Sequence, residues 1–420
     1  MEETETSNAT ITELIAKSME TISSEEKEEV IGAKRKLSQE DDKDNKELAS
    51  HVAKHYNELR EEGIDARYES RIFFLRNFNN WVKSMLIGDI IERIKKQNLI
   101  ENKRTIKVLD MACGKGGDIK KWMQGDVSYI VFTDIAGISV EQCRKRYEDT
   151  KNSSKTVSRS NPNNSQRYHK RMRADTSSQM TDPNPSSAQQ DFFGAEFITA
   201  DSAQQRLKDL YKDSNIKFDV TSCQFAFHYS FESQEKAELM LQNACECLRP
   251  GGYFIGTTPN AYEIVRRARE SETGLQFGNS VYNIKFDQEH FMKLFGGKYD
   301  FALEGVVDCP EFLVYMPLLK KMAEKYNMEL VYCKTFGEVF DEYSLKAENR
   351  DLLFRMKALE TYPPDPNARR MPRKLMGKEL EYLKAKEVYS SEREKLGVLS
   401  KDESEATSIY VIFAFQKKIT

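Results

Sequence analysis

Val108-Leu109-Asp110-Met111-Ala112-Cys113-Gly114-Lys115-Gly116-Gly117-Asp118 is an apolar run that ends in a glycine-rich turn. Residues 105–111 read as a strand, and the segment after Asp118 as the helix it feeds. Glycines in such a turn let the backbone approach a ligand, and the N-terminus of the following helix favours a carboxylate or a phosphate. A glycine turn by itself does not choose between dinucleotide enzymes and many unrelated loops. Its surroundings narrow the choice. Residues 129–134, 195–201, 218–225 and 253–258 read as further strands, and 234–248 as a helix closed by Arg249-Pro250-Gly251-Gly252. Strands alternating with helices predict an α/β fold, a mostly parallel sheet with helices on both faces. Residues 330–335 and 408–415 read as two more strands that extend it.

Acidic residues mark the ends of those strands. Asp134 ends the second, where a carboxylate grips the hydroxyls of a nucleoside ribose. Asp201 ends the third, where a carboxylate accepts from an adenine amino group. Three consecutive strands with ligand-facing residues at their carboxyl ends predict a site for S-adenosylmethionine (SAM). The residues alone leave a nicotinamide site and plain capping of the sheet edge as alternatives.

Composition sets the limits of the function. The 420 residues carry a formal net charge of −3, but residues 1–50 hold 14 acidic against 7 basic side chains, which leaves the remainder at +4. That balance does not suggest a long, sequence-blind nucleic-acid footprint and allows a small, localised phosphate site. Residues 1–48 are rich in Glu, Ser and Thr and read as a disordered acidic extension, with 49–420 as the catalytic domain. Within the extension, Lys34-Arg35-Lys36 reads as a solvated charge run or a nuclear-import patch. Residues 151–190 mix Ser, Asn, Pro and Gln with seven Lys/Arg and two Asp, and read as a disordered insertion. Residues 362–375, with four prolines, read as a second loop. The seven cysteines include no CxxC pair and there are five histidines, so neither a disulfide framework nor a zinc site is expected. No apolar run suits a membrane span. From Phe74 to Ile94, apolar residues spaced by three and four predict an amphipathic helix.

Six segments together resemble the eukaryotic mRNA cap guanine-N7 methyltransferase family: RNFNNWVKS (76–84), DMACGKGGD (110–118), SCQFAFHYSFES (222–233), LRPGGYFIGTTPN (248–260), EGVVDCPEFLVY (304–315) and EATSIYVIFAF (405–415). The glycine loop and LRPGG belong to many methyltransferases; the second half of SCQFAFHYSFES, with PEFLVY and TSIY, carries the specific likeness. The resemblance implies a class I SAM-dependent methyltransferase fold, Rossmann-like, and transfer of the SAM methyl group to N7 of the guanosine that caps pre-mRNA.

The resemblance also implies roles. Lys83 resembles the lysine that meets the SAM carboxylate, and Ala112, Asp134, Asp201, Gln224 and Tyr229 match the rest of the SAM site. Ala112 departs from the glycine common there, which a main-chain contact tolerates if its φ is negative. Asn79 and Asn80 resemble a pair that contacts capped RNA; as bare sequence they are a turn or a cap. Lys115, Lys121 and Arg146 resemble cations that compensate the cap triphosphate. His228, Glu311 and Tyr410 resemble the guanine-binding and catalytic set, with Glu311 accepting from the guanine N1–H and amino group. Taken singly, a His-Tyr pair is more often packing. No metal is expected, since guanine N7 has a free lone pair and needs no activated base. The family implies capped mRNA as substrate, the capping machinery and RNA polymerase II as partners, and the nucleus as location. Two rivals share parts of the pattern: a SAM enzyme with another substrate, and a catalytically inactive RNA-binding subunit.

Overall fold

The computed structural model describes residues 54, 57, 70–101, 105–160, 192–288, 291, 293–362, 383, 387 and 396–419. The chain divides into Met1–Lys54, of which only Lys54 is described, and His55–Thr420, which contains all that follows. The expected acidic extension at 1–48 and Lys34-Arg35-Lys36 lie outside the described residues, as do 161–191 and 363–382.

Five parallel strands form the centre: β1 (Lys107–Met111), β2 (Tyr129–Asp134), β3 (Gly194–Thr199), β4 (Phe218–Gln224) and β5 (Leu248–Pro259). Two more come from the end of the chain, β10 (Met328–Thr335) and β13 (Tyr410–Lys417). The order is β10-β13-β5-β4-β1-β2-β3. β13 runs antiparallel to β5 and β10 antiparallel to β13. The sheet reverses its winding between β1 and β4, so the crevice for a ligand opens at the carboxyl ends of those strands. Because β13 is reversed, its first residue, Tyr410, pairs with Pro259 at the last residue of β5 and reaches the same edge.

The expected helix is α1 (Phe73–Ile100). Val82, Leu86, Ile90 and Ile94 are wholly buried along one i, i+4 row, and Trp81 is wholly buried outside it. Its start is held from the far end of the chain: α9 (Lys401–Thr407) presents Glu403, whose Oε1 accepts from the Leu75 amide at 3.3 Å. Thr407 donates to Asn79 Oδ1 at 2.7 Å. This docking sets the face of α1 that carries Asn80 and Lys83.

Two boundaries differ from expectation. The helix α3 (Gly137–Ser160) runs ten residues into the segment read as an insertion from 151. The Arg249-Pro250-Gly251-Gly252 run starts β5 instead of closing a helix, and α4 (Gln234–Cys245) ends before it. Arg249 is the reason, because its Nε lies 2.5 Å from the buried Asp219 Oδ1 and its Nη2 donates to Asn98.

A second sheet carries one further site residue. β6 (Gln276–Gly278), β7 (Tyr282–Phe286), β8 (Lys298–Leu303) and β9 (Val307–Phe312) form an antiparallel meander. β9 packs against the 3-10 turn Phe227–Glu232 that follows β4. A strand pair, β11 (Glu360–Tyr362) with β12 (Leu396–Val398), brackets the proline segment, whose first residue, Tyr362, belongs to the strand. Among the described residues no helix is long and apolar enough to cross a membrane.

Candidate active site

The glycine loop folds back over the end of β2. Asp134 accepts from the Gly114 amide through Oδ2 and from the Ala136 amide through Oδ1, both at 2.8 Å, while the Cys113 amide bonds Thr133 O at 2.9 Å. Burial pushes the Asp134 carboxyl up from its ordinary value, and the two amides oppose that rise. The turn needs left-handed backbone at three places: Ala112 (φ +52°), Gly114 (+51°) and Gly116 (+72°). The condition of a negative φ at Ala112 is therefore not met. Reversing from β1 into the bond to Thr133 puts an alanine where glycine is unstrained.

The other strand ends face the same crevice. Asp201, half-buried two residues past β3, accepts from the Ala203 amide at 2.9 Å and from Gln204 Nε2 at 2.7 Å. Gln224 ends β4 and donates to Ser222 Oγ at 2.9 Å, while its buried Oε1 has no hydrogen-bond partner among the described residues. Phe225, next in the chain, is also left-handed (φ +58°) and held by Thr257 Oγ1 at 2.8 Å. A bulky residue there is strained. The strain points the Phe225 ring at Tyr410, edge to face at 5.1 Å.

Lys83 and Lys121 meet at one carboxylate. Asp118 Oδ2 lies 2.9 Å from Lys83 Nζ and its Oδ1 2.7 Å from Lys121 Nζ; Lys121 also donates to Asn80 Oδ1 at 3.3 Å. Asp118 is buried and both lysines are half-buried. Burial would raise Asp118, but Lys83 and Lys121 outweigh it and hold the carboxyl well below the usual range. Asp110, beside it on β1, accepts from Trp122 Nε1 at 2.9 Å and is pushed up to about 7, by burial first and then by the Asp118 charge. Lys121 is lowered by burial, with Asp118 opposing.

The remaining cluster joins the two sheets. His228 and Glu311 are buried to 1% and 4% exposure. His228 Nε2 stands 3.2 Å from Glu311 Oε1 without hydrogen-bond alignment, and neither imidazole nitrogen has such a partner among the described residues. Tyr229 Oη reaches Glu311 Oε1 at a long 3.5 Å, and its ring lies 4.4 Å from that of His228. Tyr410 is buried at the crevice edge against Phe225 and Phe336.

The residues expected from sequence thus fall into three groups. Ala112, Asp134, Asp201 and Gln224 lie at the strand ends, Asn80, Lys83 and Lys121 at the ionic junction, and His228, Tyr229 and Glu311 at the joint between the sheets. Lys115 is half-buried within the glycine loop. Asn79 is engaged with Thr407 and ties α1 to α9. Arg146 is exposed nine residues into α3, roughly 13 Å along the helix from its crevice end, and is not gathered with Lys121. Sequence reading missed Asp118, Phe225 and Tyr299. Asp118 was in view as the last residue of the glycine motif, but nothing in the sequence pairs it with Lys83.

The model of the mRNA (guanine-N(7))-methyltransferase domain matches residues 39–164 and 160–418. The mRNA cap guanine-N(7) methyltransferase of Drosophila melanogaster is 42% identical over 372 residues, covering 87% of this chain and 76% of its own. That of Caenorhabditis elegans is 40% identical over 381 residues, covering 88% and 87%. Among solved structures, the CcbJ methyltransferase from Streptomyces caelestis matches with a TM-score of 0.39 and 11% identity, over 81% of this chain and 95% of its own.

Proposed function

The chain belongs to the mRNA (guanine-N(7))-methyltransferase family, and from that premise we propose how its crevice methylates N7 of the guanosine capping an RNA 5′ end, with SAM as donor. The observation that carries the base-binding part is the His228–Glu311 pair, a buried imidazole with unsatisfied nitrogens facing a buried carboxylate. Such groups are costly when left unpaired, and a purine edge supplies the missing partners.

The strand ends fit SAM. Gln224 Oε1 is an orphaned buried acceptor, Asp134 and Asp201 keep lone pairs beyond those their neighbours use, and the half-buried Lys83 suits a carboxylate. When bound, SAM supplies a methyl group on a positively charged sulfur. The protein's part is to bind and orient. Guanine N7 offers its lone pair without a general base, so no side chain has to take a proton. Holding two reactants in line is worth roughly 7–11 kcal/mol in favourable cases. Glu311 accepts from guanine N1–H and the 2-amino group, a pair of donors that adenine lacks. Its negative charge also favours the positive charge that the ring acquires. Phe225 and Tyr410 offer aromatic faces and edges to the base, and Lys115, Lys121 and Asn80 face the triphosphate. Arg146 contributes only to phosphates farther out. A nuclear location, association with the capping machinery and RNA polymerase II, and a metal-free reaction rest on family resemblance and on the chemistry of N7.

The test is mass analysis of a short capped RNA after incubation with protein and SAM, beside the uncapped RNA of identical sequence. One added methyl group on the capped guanosine alone is expected. Equal methylation of both RNAs, or of neither, refutes the reading.

A further inference from the structure

We propose that Tyr299 is a positioning residue for guanine recognition, acting through Glu311 to fix the orientation in which that carboxylate meets the base. The proposal rests on the function inferred above. Tyr299 stands directly opposite Glu311 across the β8–β9 pair. Its Oη donates to Glu311 Oε2 at 3.0 Å, and at 1% exposure it is shut away from water. The ring is wedged against Phe286 of β7, with centroids 5.3 Å apart, so the hydroxyl has a rigid mount.

The two oxygens of Glu311 are therefore unequal. Oε2 is tied to the meander, while Oε1 faces His228 at 3.2 Å and Tyr229 at 3.5 Å. The Tyr299 hydroxyl stays protonated, since burial first and then the Glu311 charge push it well above its ordinary value. It acts as a donor to the carboxylate. Each carboxylate oxygen has two lone pairs, so one bond from Tyr299 leaves acceptor capacity for both guanine donors. Without that bond the carboxylate is free to turn about its last side-chain torsion, which is broad for Glu. Two parallel donors need a carboxylate held in one plane. A base that offers only N1–H, as inosine does, needs it less. Tyr299 thus separates guanine from its analogue without the 2-amino group, while Glu311 makes the contact.

Tyr299→Phe keeps the ring and removes the donor. Methylation of guanosine-capped and inosine-capped RNA is measured for wild type, Tyr299→Phe, Glu311→Gln and the double variant, with calorimetric SAM affinity and thermal midpoints alongside. Tyr299→Phe is expected to lose about tenfold or more in kcat/KM on the guanosine cap, mainly in KM, with SAM affinity unchanged within about twofold. Its preference for guanosine over inosine should shrink by about fivefold or more. In the double variant the tyrosine substitution should add less than about twofold to the Glu311→Gln defect, because the two act as a unit. An undiminished guanosine preference in Tyr299→Phe, or additive losses in the double variant, overturns the role. Equal losses on both caps with weakened SAM binding would also overturn it, as a general packing defect. If Tyr299→Phe does not fold, the double variant decides, since it carries no unpaired carboxylate and its preference should match that of Glu311→Gln. Wild-type protein that leaves capped RNA unmethylated refutes the proposed function itself, and the role falls with it.

Discussion

Ala112→Gly should stabilise the protein, and Gly116→Ala, four residues on in the same loop, should destabilise it. Ala112 sits at φ +52°, where an L side chain crowds the following carbonyl at a cost of about 1–2 kcal/mol. Glycine removes that cost but gives back about 0.5–1 kcal/mol through its larger freedom in the unfolded chain. The net gain is about 0.5–1 kcal/mol. Gly116 at φ +72° pays the same backbone cost on gaining a Cβ, and the new atom would lie 2.6 Å from Ile119 Cδ1 and 2.8 Å from Cys143 Sγ. Both neighbours belong to buried residues, so overpacking of about 1–3 kcal/mol adds to it. The pair therefore differs by several kcal/mol in opposite directions. Denaturant unfolding at constant m, followed by calorimetric SAM titration, reads both effects. SAM affinity should hold in Ala112→Gly, because the Gly114 amide stays on Asp134, and should fall in Gly116→Ala. An Ala112→Gly midpoint below that of wild type would refute the strain argument and mean that the alanine methyl contributes more than its backbone costs.

Glu311→Gln sets an amide against the guanine donors and removes the charge that favours the methylated ring. Single-turnover methylation should fall about 10- to 100-fold with SAM affinity intact, and a wild-type rate would remove Glu311 from base recognition. Asp134→Ala should weaken calorimetric SAM binding by about 1.5–3 kcal/mol and leave a cap analogue nearly unaffected; unchanged SAM affinity would exclude the ribose contact. Asp110, raised to about 7 by burial and then by Asp118, has a folded-state value above its unfolded one near 3.9. Its contribution to stability is fully present below that unfolded value and is lost as pH rises through 7. Wild-type urea midpoints should accordingly fall from pH 6 to pH 8 more steeply than those of Asp110→Asn, and equal slopes would contradict the assignment.

What could be read in advance follows from the range of the interactions that decide each feature. The parallel strands and α1 declare themselves because burial imposes a period on neighbouring residues. Asp134 and Asp201 are legible for the same reason, as polar residues where an apolar run stops. Glu311 and Tyr410 carry no such local mark and were placed by resemblance alone. Glu311 reaches the crevice on a separate meander, and Tyr410 only because β13 runs antiparallel to β5. Asp118 carries no local sign of its role, since Lys83, its partner, lies 35 residues away on another element. Tyr299 was invisible because a cross-strand partner depends on a register that the β8–β9 hairpin sets. Ala112 shows the limit most sharply. A glycine at a turn announces that the backbone is free to go left-handed, but an alanine announces nothing, and its φ depends on the bond the next residue makes to Thr133. A negative φ is the ordinary preference of an L residue, and Ala112 departs from it. A loop that must close over a ligand is where surrounding structure can hold a residue against that preference.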